Sequence, residues 1–369
     1  MLGCSGADHR HDDQCRWRLD GLVSAVAVKK RINLALQGGG AHGAFTWGVL
    51  DRLLQQNDLD ICGISGTSAG ALNGAALKSG MISGGREGAR ENLDWLWAQV
   101  SGISDLRLSH WLAPFGLDKL SQAMEYSLPM AISDSLTRVV SPYAYGPFYR
   151  NPLEDVVARF DYGKVGAHKP PFFFVCATRV RNGKIRVFEG DEIGPDALLA
   201  SACLPTIFKA VEIDDAQTGQ REAFWDGGYT GNPALFPLFR DDLPEDIVVV
   251  NINPLDREDL PVTPQQIQNR INEISFNSSL LREMRAIDFV QRLIADGTLP
   301  EGRMKRVHMH MIADDALMAQ LSVATKLMPN PAVIRALHEA GVAAADRFLE
   351  EHFDDLNQRS SVDLPAMFG

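Results

Sequence analysis

The chain has no apolar run long enough to cross a bilayer. Its longest, Gly21 to Val28, Phe172 to Ala177 and Ile247 to Val250, fall far short of the roughly 20 residues a spanning helix needs. Cysteine is scarce: five residues (Cys4, Cys15, Cys62, Cys176, Cys203), an odd number without a C-x-x-C pair. That spacing excludes a thiolate-pair zinc site and a disulfide framework, and it points to a reducing, cytoplasmic setting. An excess of positive charge is also missing. Lys and Arg number 36 against 47 Asp and Glu, for a net charge of −11. Such a surface excludes nucleic acid as a partner and offers no ionic attraction to anionic membranes. The start, Met1-Leu2-Gly3-Cys4, superficially resembles a lipoprotein cleavage site but has no charged or apolar region before Cys4. Neither an internal repeat nor a long linker is found. Residues 1–28 lack periodicity and are expected to form a loose tail, whose His9, His11 and Cys15 make no closed metal site.

What is present is a globular composition, 45% hydrophobic and 22% charged, arranged at first as strand, loop, helix, strand, turn, helix. Ile32 to Leu36 reads as a core strand, followed by Gln37-Gly38-Gly39-Gly40-Ala41-His42-Gly43 and a helix carrying Phe45, Trp47, Val49, Leu50, Leu53 and Leu54. The next strand runs through Ile61 and Ile64 into Gly66-Thr67-Ser68-Ala69-Gly70, and helix-forming residues follow to about Ser79. A βαβα beginning implies a mainly parallel sheet covered by helices. The pentapeptide fits the G-x-S-x-G nucleophile elbow. A serine on a sharp strand-to-helix turn needs neighbours without a Cβ two positions either side, and Gly66 and Gly70 supply them. Its hydroxyl then stands at a helix N-terminus, which favours a developing oxyanion.

The glycine loop has two sharp readings. Gly38, Gly40 and Gly43 fit the G-x-G-x-x-G dinucleotide fingerprint, which expects an acidic residue at the end of the next strand. That strand ends in Ile64-Ser65-Gly66, while Asp58 and Asp60 stand at its beginning. The second reading is an oxyanion hole, in which consecutive glycines expose backbone N–H groups to negative charge. Loops of adjacent βα units emerge at one edge of the sheet, so loop and serine should meet there. The oxyanion reading is preferred.

Further along, Arg86 to Val100 reads as a helix. Residues 105–150 hold four of the six tyrosines with Trp111, Phe115, Phe148 and four prolines. They read either as a cap lining an apolar groove or as an irregular subdomain packed by its own aromatics. Apolar insertion by this stretch would bring peripheral contact with a membrane. Phe172 to Thr178 and Lys184 to Phe188 read as a hairpin around Arg181-Asn182-Gly183. Asp226-Gly227-Gly228 puts a carboxylate at the end of a short apolar run, and Ile247 to Ile252 is a β-branched strand. Helical spacing covers Thr263 to Ala295 and, from Asn330-Pro331, a stretch to about Phe353, with Val307 to Ile312 a strand between them. The acidic doublets, among them Asp214-Asp215, are expected to be solvated.

Gly38-Gly39-Gly40-Ala41-His42-Gly43, Gly66-Thr67-Ser68-Ala69-Gly70 and Asp226-Gly227-Gly228, in this order, resemble the motifs of the patatin-like phospholipases. Ala200-Ser201-Ala202-Cys203-Leu204-Pro205 is similar to the family's block before the aspartate, and Phe276 to Glu283 resembles a bacterial branch of it. The resemblance implies a three-layer α/β/α fold and a Ser–Asp dyad that hydrolyses acyl esters without metal or other cofactor. By it Ser68 matches the nucleophile, Asp226 the base, and Gly38, Gly39 and Gly40, with Gly43 closing the motif, the oxyanion loop. Gly66, Gly70, Gly227 and Gly228 support the turns. The position of His42 is often Arg or Lys in this family, and a neutral imidazole does not supply that charge. The expected organisation is a tail (1–28), a catalytic domain (31–255, motifs within 34–240) and a mainly helical C-terminal extension (256–369). The expected partner is a lipid or other acyl ester. Three alternatives stand beside this one: a Ser–Asp–His hydrolase using His308 or His310, a dinucleotide-binding protein, and a non-catalytic lipid-binding module.

Overall fold

The computed structural model describes residues 29–102, 121, 141–258, 260–300 and 302–368. The expected tail and most of the aromatic stretch at 105–150 lie outside them. Eight strands form one sheet: β1 (Lys30–Leu36), β2 (Leu59–Thr67), β3 (Phe172–Arg179), β4 (Ile185–Glu189), β5 (Val211–Asp215), β6 (Gln220–Asp226), β7 (Asp246–Val250) and β8 (His308–Ile312). Their order is β5-β6-β3-β2-β1-β7-β8, with β4 paired to β3. The five strands from β3 through β8 in that order pair in parallel, whereas β4 and β6 pair antiparallel with β3 and β5 antiparallel with β6.

The central strands are buried on both faces, as near-continuous apolar runs in a parallel sheet require. Alternation then divides them between two cores. Leu34, Leu36 and Ile64 pack with Phe45, Val49 and Leu50 of α1 (Gly43–Leu54) and with Leu337 and Phe348 further on. Ala35, Phe174, Ile247 and Val249 point the other way, onto Leu280 and Met284. The result is the three-layer α/β/α arrangement expected from the sequence. α2 (Ala69–Gly102) bends at Gly84 and Gly85, where the backbone leaves helical angles, which separates the two helices read from the sequence. α3 (Pro195–Ser201) precedes β5. The C-terminal part supplies α4 (Pro264–Ala295), α5 (Val323–Leu327), α6 (Pro331–His352) and the edge strand β8. Ile267, Ile271 and Ile274 of α4 keep their helical spacing but lie exposed; its burial falls to Leu280, Met284 and Ile287.

One register detail positions the site. β2 ends opposite Cys176 of β3, with Thr67 as the last partner. β4 occupies the other flank of β3 from Phe174 to Thr178. β6 must therefore approach β3 on the flank of β2, beyond its end, and it does so with Asp226 opposite Ala177. The ends of β2 and β6 meet head-on along β3.

The doublet Asp214-Asp215 departs from expectation. It lies on β5, where alternation turns Asp214 to solvent and Asp215 inward, 2% exposed. Asp215 pairs with Arg179 at 2.6 Å and with Arg186 at 2.9 Å. Burial works against its charge, but the two guanidinium groups hold the carboxyl below the ordinary aspartate range. Removing it leaves two buried cations without their shared anion. Asp215→Ala should lower unfolding stability by about 3–5 kcal/mol, read from urea denaturation, whereas Asp214→Ala should change it little.

Candidate active site

Three chain segments leave the sheet at one edge. Leu36 ends β1 opposite Gly66 on one side and Val250 on the other. The glycine loop, the elbow and the segment after β7 thus emerge together, and β6 delivers Asp226 from the opposite direction.

Ser68 sits between β2 and α2 with φ of +54°, one of two non-glycine residues with positive φ among those described. That left-handed backbone is strained for a residue with a Cβ, and neighbouring contacts must hold it. Ser68 N–H donates to the buried Ser201 Oγ of α3 at 2.9 Å, and Ser68 O accepts from Leu72 N–H in the first turn of α2. Close approach explains the adjacent glycines. A Cβ on Gly38 would lie 2.7 Å from Ser68 Cβ, and one on Gly66 would lie 2.6 Å from Gly70 O. Gly70 itself faces the Leu36 carbonyl at the end of β1.

Asp226 is 1% exposed. Its Oδ1 accepts from Gly228 N–H at 2.7 Å, capping the turn that Gly227 and Gly228 begin, while Thr178 Oγ1–H donates to its backbone carbonyl at 2.8 Å. Oδ2 is buried without a hydrogen-bond partner. Burial pushes the carboxyl up to about 7; Gly228 N–H and the facing Ser68 hydroxyl only partly oppose this. Ser68 is thus the polar neighbour of the carboxyl, but no hydrogen bond between them is closed. Among the described residues no cation pairs with Asp226, and in that it differs from Asp215.

The glycine loop is fixed by buried amides. Asn232 Oδ1 accepts from Gly38 N–H at 2.7 Å. Gln37 Oε1 accepts from the backbone N–H groups of Ile252 and Asn253 at 2.9 and 3.1 Å, and its Nε2 reaches Asn277 Oδ1 at 3.2 Å. Asn253 Nδ2 donates to Gly38 O at 2.8 Å. The sequence-based assignment of four glycines is narrowed here. Gly38 N–H is taken by Asn232, and Gly43 N–H by the carbonyls of Gly40 and Ala41. Gly39 and Gly40 N–H have no partner among the described residues. Ser201, Asn232 and Asn253 were not identified as site residues from the sequence. For Ser201 the signal is its place in the Ala200–Pro205 block, and for Asn232 and Asn253 it is position alone, shortly after the ends of β6 and β7.

His42 is buried and donates through Nε2 to Thr325 Oγ1 at 2.8 Å, leaving Nδ1 unpartnered. Burial first, then Lys326 and Arg257, hold its pKa well below the ordinary histidine value, so the ring is neutral. The candidate triad histidines lie elsewhere. His310 uses Nε2 on Asp246, at the amino end of β7, at 2.9 Å and Nδ1 on Ser361 at 3.0 Å. His308 faces Glu245 at 3.8 Å. Neither is brought to Ser68.

A three-layer α/β/α fold on a mainly parallel sheet, with a strained serine elbow, a glycine loop and a buried acid at one edge, defines a class of serine-elbow α/β proteins. The model of the patatin-like phospholipases matches residues 34–239, more than half of the chain, and the chain belongs to that family. Among solved structures it is similar to VipD from Legionella pneumophila, with 15% identity and a TM-score of 0.40, covering 88% of this chain and 67% of VipD. It is also similar to the ExoU–SpcU complex from Pseudomonas aeruginosa, with 16% identity and a TM-score of 0.27, covering 92% of this chain and 74% of the other. A search of curated proteins gives no match.

The state of Asp226 has a consequence for stability. Its folded pKa, about 7, lies above the ordinary carboxyl value of 3.8, so the folded protein favours the protonated form. The associated stability is complete below the unfolded value and is lost as pH rises through 7. Asp226→Asn keeps the Oδ1 acceptor and removes the charge. It should raise stability by a few kcal/mol at pH 8 and by progressively less toward pH 4, measured as melting temperature across pH. A variant no more stable than the parent at pH 8 would show that the carboxylate is not desolvated as described.

Proposed function

We propose that the protein is a lipid acyl hydrolase in which Ser68 is the nucleophile and Asp226 the base. The observation that carries the reading is the pairing of a serine at φ of +54° with a facing carboxyl, buried and pushed up to about 7, whose Oδ2 has no other partner. A carboxylate of ordinary acidity is a poor base at neutral pH, and desolvation removes that handicap. Ser68 Oγ attacks the ester carbonyl carbon while its proton passes to Asp226 Oδ2. The carbonyl oxygen gains negative charge and is held by the free N–H groups of Gly39 and Gly40. Collapse of the tetrahedral intermediate releases the alcohol, which takes the proton from Asp226 and leaves an acyl-Ser68. Water, deprotonated by Asp226, then frees the acid and restores the serine. Nucleophile, base and oxyanion donors all come from the chain, so no step calls on a metal.

Family membership supports an ester of a lipid as the substrate. Among the described residues no helix is long and apolar enough to cross a membrane, and Cys62, Cys176 and Cys203 are buried free thiols. The reading therefore extends to a cytoplasmic enzyme that meets its substrate by peripheral contact. A dyad is favoured over a triad because both ring nitrogens of His310 are engaged by Asp246 and Ser361.

A fluorophosphonate probe should form its adduct on Ser68, and Ser68→Ala should abolish turnover of a panel of phospholipid and short-chain esters. Asp226→Asn should lose several orders of magnitude, whereas His310→Gln and His308→Gln stay within about tenfold. An adduct on another serine rejects the site, and a histidine variant as inactive as Asp226→Asn in folded protein restores the triad. Because the base must be ionised, kcat/KM should fall about tenfold per pH unit below pH 7, measured with an uncharged ester.

A further inference from the structure

Behind the glycine loop lies a second set of charged groups that the reaction above does not use. Lys326, on α5, has a side chain only 14% exposed. Its Nζ donates to Asn253 Oδ1 at 3.1 Å. The nearest carboxylate, Glu273 of α4, stands 4.0 Å away and is already engaged by Arg257 at 2.7 and 2.8 Å and by Arg270 at 3.4 Å. Three cations thus share one buried carboxylate among the described residues, and His42, whose pKa Lys326 helps to lower, is neutral. Positive charge is left over next to the loop. Holding a lysine there without a close counter-ion costs desolvation free energy, which marks a charge kept for a purpose beyond packing.

The connectivity shows where the charge acts. Lys326 pulls on the Asn253 carbonyl oxygen. The two hydrogens of Asn253 Nδ2 go to Gln37 Oε1 at 3.2 Å and to Gly38 O at 2.8 Å. Gly38 O and Gly39 N–H belong to one peptide unit. A cation at the head of the chain polarises each link in turn, so the Gly39 N–H becomes a stronger donor. We propose that Lys326 is a positioning residue for the oxyanion hole, acting through Asn253 and the Gly38–Gly39 peptide on the charge that develops in the transition state. The inference rests on the assignment of Gly39 N–H as an oxyanion donor. The Lys326 backbone carbonyl packs against Gly40 whatever the side chain, so side-chain substitution leaves that contact in place.

A charge-dependent role differs from a packing role in its pH dependence. The groups facing Lys326 are Glu273, Arg257, Arg270 and His42. Burial works against the charge of Glu273, but Arg257 first and Lys326 next hold it below its ordinary pKa, and His42 is kept neutral by burial first, then Lys326 and Arg257. Lys326 itself is lowered to about 8, by burial first, with Glu273 opposing and Arg257 assisting. Its positive charge, and the support it gives, should be lost as pH rises through 8.

The test measures kcat and KM from pH 6 to 10 for hydrolysis of a short-chain p-nitrophenyl ester by the full chain, with fluorophosphonate labelling of Ser68 in parallel. The parent should show an alkaline fall in kcat near pH 8. Lys326→Met should lower kcat ten- to a hundredfold with KM within about threefold, consistent with weakening one donor. Lys326→Arg, charged throughout, should keep most activity and move the alkaline fall upward. A folded Lys326→Met with kcat within threefold of the parent, or an Arg variant with an unmoved alkaline limb, overturns the inference. If both variants fail to fold, the parent profile decides, since a kcat flat from pH 7.5 to 9.5 also overturns it. Failure of the underlying reading looks different: Ser68 then carries no adduct in the parent.

Discussion

Everything at the site follows from one constraint on pairing: β3 outlasts β2. β2 stops at Thr67 opposite Cys176, β4 covers the far flank, and β6 takes the vacant stretch with Asp226 opposite Ala177. Two chain ends approaching head-on along one strand are thereby brought together by ladder hydrogen bonds, without a long flexible loop. Thr67 Oγ1 and Thr178 Oγ1 fasten the segment after β6 by donating to Gly231 O and Asp226 O at 2.6 and 2.8 Å. Elements of a sheet are rigid, so serine and acid inherit a fixed separation from the register.

The same arrangement forces Asp226 out of water. A cation beside it would make burial easier and would also pull its pKa down, as Arg179 and Arg186 do for Asp215. Its absence leaves a carboxyl that is energetically unfavourable when charged and a useful base for that reason. The positive charge at the site is placed instead behind the glycine loop, where Lys326 and Arg257 act on His42, and neither acts on the acid. Charge is thus separated: a cationic side behind the glycine loop, and an unpaired acid opposite.

How much of this was legible in the sequence depends on distance along the chain. The elbow and the glycine loop are local patterns, each within a few residues, and parallel βαβ logic brings both to one edge. The meeting of Ser68 with the glycine loop and the three-layer fold could therefore be read directly, whereas Asp226 was singled out only through the family resemblance. The amides could not, because Gln37, Asn232, Asn253 and Asn277 carry no common pattern and meet only after the sheet has closed, Gln37 bonding residues 195 and 240 positions away. Asp215 was misread for a related reason: a polar doublet looks solvated until strand alternation assigns one member to each face. The four glycines looked equivalent, and only the bonds to Asn232, Ala41 and Gly40 separate occupied N–H groups from open ones.

Two buried aspartates at opposite ends of the sheet differ in how their oxygens are satisfied. Asp246, at the amino end of β7, accepts from His310 Nε2, Asn357 N–H and Asn357 Nδ2 at 2.9, 2.7 and 2.9 Å. Burial alone would raise it, but these donors hold it below the ordinary range, and His310 passes its other nitrogen to Ser361. Serine, histidine and aspartate are thus all in contact there. Yet the aspartate has donors on both oxygens, and His310 meets the serine through the nitrogen that bonds aspartate in a hydrolase triad. The set clamps the C-terminal segment to β7 and β8. Asp226, at the other edge, has one oxygen held by Gly228 and the other bare. Residue types alone favour the first cluster as a catalytic site; hydrogen-bond accounting favours the second, since a proton acceptor must have a free lone pair aimed at the group it is to deprotonate.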